Sequence, residues 1–96
     1  MDNNKNNILE LKFNILVDAI SAIDISDVDV KIPDENNVLL YIKTKSLNTV
    51  NSDKLVDICN KFSNEEFSVT YQIPTGKFVD NKEVPNTDTV CIFIEK

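Results

Sequence analysis

The sequence predicts an α+β fold, a two-layer sandwich with two helices on one face of a mainly antiparallel sheet. Three observations carry this. Two segments repeat apolar residues at helical spacing, four alternate apolar with polar residues, and their order along the chain is α-β-β-α-β-β. Ninety-six residues make one domain. A chain of this mass buries roughly 65% of its unfolded surface, enough for one core without staples.

Met1 to Asn7, with four Asn and one Asp, reads as a flexible lead-in to a domain over residues 8–96, and Asn6 or Asn7 suits a helix cap. Residues 8–23 admit two readings. Leu9, Leu11, Phe13 and Ile15 alternate with Glu10, Lys12 and Asn14, as in a strand. Over the longer window Glu10, Asn14, Asp18 and Ser21 form one polar stripe about 80° wide, and apolar residues fill most of the remaining wheel. The expectation is a largely buried helix. The strand reading would make the first six elements β-α-β-β-α-β, the ferredoxin-like order, with one extra strand.

Val28, Val30 and Ile32 alternate with Asp27, Asp29 and Lys31, a strand with one wet face. Pro33 to Asn37 is turn chemistry, and Val38 to Lys45 returns as the second strand of a hairpin. Ser46 to Ser52 connects to a helix capped by Asn51 or Ser52, with Leu55, Ile58, Cys59 and Phe62 on its apolar face and an end near Ser63 and Asn64. Phe67, Val69, Tyr71 and Ile73 define a third strand stopped by Pro74. Val90 to Ile94 is a last strand, apolar on both sides, which makes it central in the sheet or covered on both faces. Between these two strands, residues 74–88 are long for a plain connection. Asp80-Asn81, between Phe78-Val79 and Val84, suits a small hairpin arm, and loops on a rigid scaffold often carry binding residues.

Composition narrows the function. The net charge is −6, all ten basic residues are Lys, and His and Arg are absent. No His means no Ser–His or Cys–His dyad and no His-bearing zinc site. No Arg removes the bidentate fork that recognises phosphate. The negative charge, spread along the chain, opposes nucleic-acid binding. No apolar run spans a bilayer and the N-terminus lacks signal-peptide order, so the expected address is cytoplasmic.

Candidate sites are few. Asp24, Asp27 and Asp29 lack the glycine and glutamate of a calcium loop, and read as solvated helix-end and edge acids. Cys59 and Cys91 read as buried free thiols. Gly76-Lys77 lacks a phosphate-binding cradle, because Phe78 follows where Ser or Thr is needed. Lys31, Lys43 and Lys45 with Tyr41 make a basic strip, cancelled by Asp27, Asp29, Asp34 and Glu35. Glu65-Glu66 reads as a solvated pair.

The expectation is therefore a protein-binding module without catalysis or cofactor, acting by occluding or bridging a protein partner. Inhibitors, immunity proteins, phage counter-defence proteins and adaptor subunits share this profile. The arm supplies its site, with Phe78 and Val79 as apolar anchors and Lys77, Lys82 and Glu83 as rim. The second expectation is a homo-oligomer that binds a small ligand at its interface, a homodimer through an exposed sheet edge or open face being its simplest form. The third is an enzyme drawing its acid and base from Tyr41, Tyr71, Asp29 and Glu66.

Overall fold

The computed structural model describes residues 4–96, with side chains from Ile8 onward. Its elements run α1 (Asn4–Ala19), β1 (Ile25–Asp34), β2 (Asn37–Thr44), a short 3-10 turn (Leu47–Thr49), α2 (Ser52–Phe62), β3 (Ser68–Gln72), β4 (Gly76–Val79), β5 (Lys82–Pro85) and β6 (Thr89–Glu95). The fold is α+β, with an antiparallel four-stranded sheet in the order β1-β2-β6-β3 and a separate β4–β5 hairpin.

The longer window wins at the start of the chain. Residues 8–19 are helical, so the ferredoxin-like order does not arise. The helix also takes in Asn4 to Asn7, so Asn6 and Asn7 lie within it and are not its caps; Met1 to Asn3 lie outside the described residues. At the other end α1 unwinds through a tight turn in which Ile23 N–H donates to Ala19 C=O at 2.8 Å.

α2 begins where the sequence places it. The Asn51 side chain accepts from Lys54 N–H, Asp53 sits in the first turn, and Lys61 in the last. The Asn51 N–H donates to Ala22 C=O at 2.9 Å and Lys61 pairs with Asp18 at 2.7 Å, so α2 is tied to α1 at both ends.

Register explains which side of the sheet is buried. Val30, Leu40, Ile92 and Tyr71 stand in one row across β1, β2, β6 and β3, and Val28, Ile42 and Val90 in the next. Ile15, Ala19, Leu55 and Ile58 of the helices pack into the same core as Leu40, Ile42 and Ile92. Both helices therefore cover this one face. Thr44, the one buried polar residue among those described, turns its hydroxyl to Ser46 C=O. The last strand in sequence, β6, lies at the sheet's interior, as its two apolar sides allow.

One expectation about α1 is corrected. The helix is not largely buried. Ile8, Ile15 and Ala19 are, as is Ala22 just beyond its end, but Phe13 is 62% exposed, Val17 51%, and Ile20 in the following turn 68%. The apolar sector spans about 240° of the wheel, and one sheet with one neighbouring helix covers only about half of that.

Candidate functional site

The opposite face of the sheet carries Asp29, Tyr41, Cys91 and Gln72 in one row, and Asp27, Lys43 and Thr89 in the next. No helix covers it. The β4–β5 hairpin does so at one end. The arm closes with a two-residue turn in which Asp80 (φ 52°) and Asn81 (φ 65°) are both left-handed, with Val79 paired to Lys82. Asp and Asn tolerate that conformation better than other non-glycine residues, and it gives the turn the twist that a hairpin needs. Residues 74–88 are thus an ordered arm.

Asn86 holds the base of the arm. Its Nδ2 donates to the carbonyls of Pro74 and Thr89, both at 2.8 Å. Its Oδ1 accepts from the N–H groups of Thr89 (2.9 Å) and Asp88 (3.3 Å). Its own N–H donates to Thr75 C=O at 3.1 Å. One side chain therefore bridges the chain entering the arm, the chain leaving it and the start of β6. Beside it Lys77 Nζ donates to Asp88 Oδ1 at 2.7 Å, and Thr89 Oγ1 donates to the same oxygen at 2.9 Å. These two bonds, the lysine's first, hold the Asp88 carboxyl below the usual carboxylate range.

Between arm and sheet lies a cleft of about 450 Å³. Tyr41, Lys43, Thr89 and Cys91 form its floor, Gly76 to Val79 its wall, and Asp27 and Asp29 its open rim. Phe78 is 75% exposed, although it is the largest apolar side chain of the arm. Gly76 allows the arm's strands to approach closely, since a β-carbon there would lie 3.1 Å from Glu83 Oε1 and 3.3 Å from Val84 C=O.

No family model, curated protein or solved structure matches this chain.

Of the five arm residues singled out from sequence, the structure brings Lys77, Phe78 and Val79 together on the cleft wall. Lys82 and Glu83 lie on β5, exposed and outside the cleft lining. Lys77 is not a free rim charge; it is the strut that meets Asp88. Sequence reasoning missed Asn86, Asp88 and the floor residue Cys91. Asn86 followed two and three residues later by Asp88 and Thr89 is the spacing of an Asx turn, and that was the available signal.

The other candidates separate. Tyr41 and Asp29 are cross-strand neighbours at the cleft, but Tyr71 packs against the core and Glu66 pairs with Lys96 at 3.8 Å. Among the described residues, no three His, Cys, Asp or Glu side chains are grouped to hold a metal ion. Cys59 and Cys91 are buried free thiols, each pushed above the usual thiol range by burial. Among the described residues no helix is long and apolar enough to cross a membrane.

Proposed function

We propose that this chain is a protein-binding module that acts by occluding or bridging a partner, and that it holds the partner with the β4–β5 arm. The observation that supports this most is Phe78. It stands exposed on a pinned arm, above a cleft with an apolar Tyr41–Cys91 floor. A large apolar side chain held in water on a rigid support is the usual form of an interface anchor. An apolar side chain of the partner would enter between Phe78 and Tyr41, with Lys43 and Asp29 as polar rim. The arm is ordered before the partner arrives, so binding loses little conformational entropy.

The test is affinity capture from native host lysate with three baits: the intact chain, Phe78→Ala, and a form with residues 76–85 replaced by a short Gly-Ser linker. Phe78→Ala should change stability by less than about 0.5 kcal/mol, since the ring is mostly in water. A partner held by the intact chain and lost by both variants is the expected result. Equal capture by all three would refute the reading. A small ligand is the second reading, because the cleft volume falls within the range of small-molecule pockets. Its readout is a ligand-induced rise in melting temperature, abolished by Tyr41→Ala.

A further inference from the structure

β1 is an outer strand of ten residues with one edge unpaired. On the helix side of that edge lies an apolar groove, floored by Val28 and Ile25 and walled by the exposed Phe13 and Val17 of α1 and Ile20 of the turn after it. An unpaired edge beside an apolar groove is the surface that another strand would extend.

The charges along β1 select its occupant. Val28 N–H donates to the Asp27 carboxylate at 2.9 Å, as an outward-facing edge donor does. Val30, two residues on, directs its main chain the same way. If a second copy pairs antiparallel with this edge, a dyad at Val30 sets Val30 opposite the partner copy's Val30 and Val28 opposite its Ile32 as hydrogen-bonded pairs. In that register each Asp29 faces the other copy's Lys31 on the open face of the sheet, so the exposed Asp29–Lys31 pair that each chain makes internally at 3.4 Å is exchanged for two across the dyad. Moving the dyad by one residue toward the N-terminus sets Asp29 against Asp29. Moving it one toward the C-terminus sets Lys31 against Lys31. The register about Asp29 also sets Asp27 against Lys31, but it keeps the Asp29–Asp29 clash at the dyad; of the three, only the register centred on Val30 has two attractive pairs and no like-charge pair. The same register brings the exposed Ile32 of each copy over Val28 of the other, at the floor of the groove.

We infer that this chain forms a two-fold dimer by antiparallel pairing of β1 with β1 about Val30, giving a continuous eight-stranded sheet with the α1 grooves closed over the dyad. About six main-chain hydrogen bonds would form. The exposed apolar side chains of Phe13, Val17, Ile20 and Ile32 supply about 400 Å² per copy before the strand backbone is counted, half of a standard interface side. Association is expected within the micromolar-to-millimolar range, with no dependence on the arm.

Sedimentation velocity from about 1 µM to 1 mM tests it, with melting temperature confirming that each variant is folded. Lys31→Glu alone, and Asp29→Lys alone, each make both cross-copy pairs repulsive and should weaken dimerisation about tenfold. An equimolar mixture of these two variants should form the heterodimer, in which every pair is again attractive, with wild-type affinity. Asp29→Lys/Lys31→Asp in one chain should restore the homodimer. A wild-type chain that stays monomeric to 1 mM would overturn the proposal and leave the groove to a different partner. So would a dimer that Lys31→Glu does not weaken, or variants whose mixture fails to associate.

Discussion

Asn86→Ala is the perturbation that reads the arm most directly. It deletes three hydrogen bonds of 2.8–2.9 Å and one of 3.3 Å, and all four run from one side chain to main-chain groups. At a net of about 1 kcal/mol for each short bond and little for the long one, the gross loss is about 3 kcal/mol. Asn86 is only half-buried, so water re-solvates part of what is freed, and about 2 kcal/mol is the figure to expect. The loss falls on the arm, because β4 and β5 pair only with each other. Two kcal/mol corresponds to an approximately 30-fold faster opening equilibrium. Native-state hydrogen exchange by NMR separates arm from core. Arm amides should exchange about 30-fold faster, while those of Leu40 and Ile92 keep the wild-type rate. Asn86→Asp keeps both acceptor bonds but sets a carboxylate oxygen against the carbonyls of Pro74 and Thr89, so it should open the arm at least as far as Asn86→Ala. Arm amides at the wild-type rate would show that Asn86 does not hold the arm. Acceleration of arm and core together would show that the arm is not a separate unit.

Other expectations follow from the same structure. Asp88, with its lowered pKa, contributes stability that is complete above the ordinary carboxyl value of 3.8 and lost as pH falls through the lowered one. Arm chemical shifts should therefore hold steady down to about pH 4 and then move, and Asp88→Asn should remove that acid limb. Asn81→Val puts a β-branched residue at φ 65° and should lower hairpin stability by about 1–2 kcal/mol, whereas Asn81→Gly should cost nothing; arm exchange rates measure both. Ile92 is fully buried between Leu40 and Tyr71, so Ile92→Ala should lose about 3–4 kcal/mol in urea unfolding, a large part of a total near 10 kcal/mol. Cys91, under the arm, should react with a thiol reagent faster in Asn86→Ala than in wild type, while Cys59 in the core should not.

The elements that obeyed local rules were legible before any coordinates. Asn51, Asp53 and the Leu55–Phe62 spacing set out α2 nearly to the residue, and the alternation around Val69 and Ile92 placed β3 and β6. The double apolar character of β6 left an interior position or cover on both faces, and the sheet order gives the interior position. The arm was legible from Asp80-Asn81, because a left-handed turn needs such residues. What failed was anything that depends on which neighbour arrives. The helical wheel of α1 shows an apolar sector without saying how much of it a single sheet can cover, so a largely buried helix is expected where Phe13 and Ile20 in fact stand in water. Asn86 and Asp88 looked like ordinary loop polars, because their partners, Pro74, Lys77 and Thr89, meet them only once the hairpin has turned back.

The two surfaces share a residue. Asp29 lies on the rim of the cleft, and in the β1 dimer it would face Lys31 of the second copy. One exposed carboxylate cannot give its full attraction to two cations at once. A partner that presents a cation to the cleft rim would therefore draw Asp29 away from the dyad, and linkage makes the effect reciprocal: the factor by which that partner weakens the dimer is the factor by which the dimer weakens its binding. An apolar or acidic partner makes no such demand, and both copies could hold one on the same continuous face of the sheet. Affinity measured below and above the dimerisation midpoint thus reports the chemistry of the partner. Weaker binding at high concentration points to a cation at Asp29, and unchanged binding points to the apolar anchor at Phe78 alone.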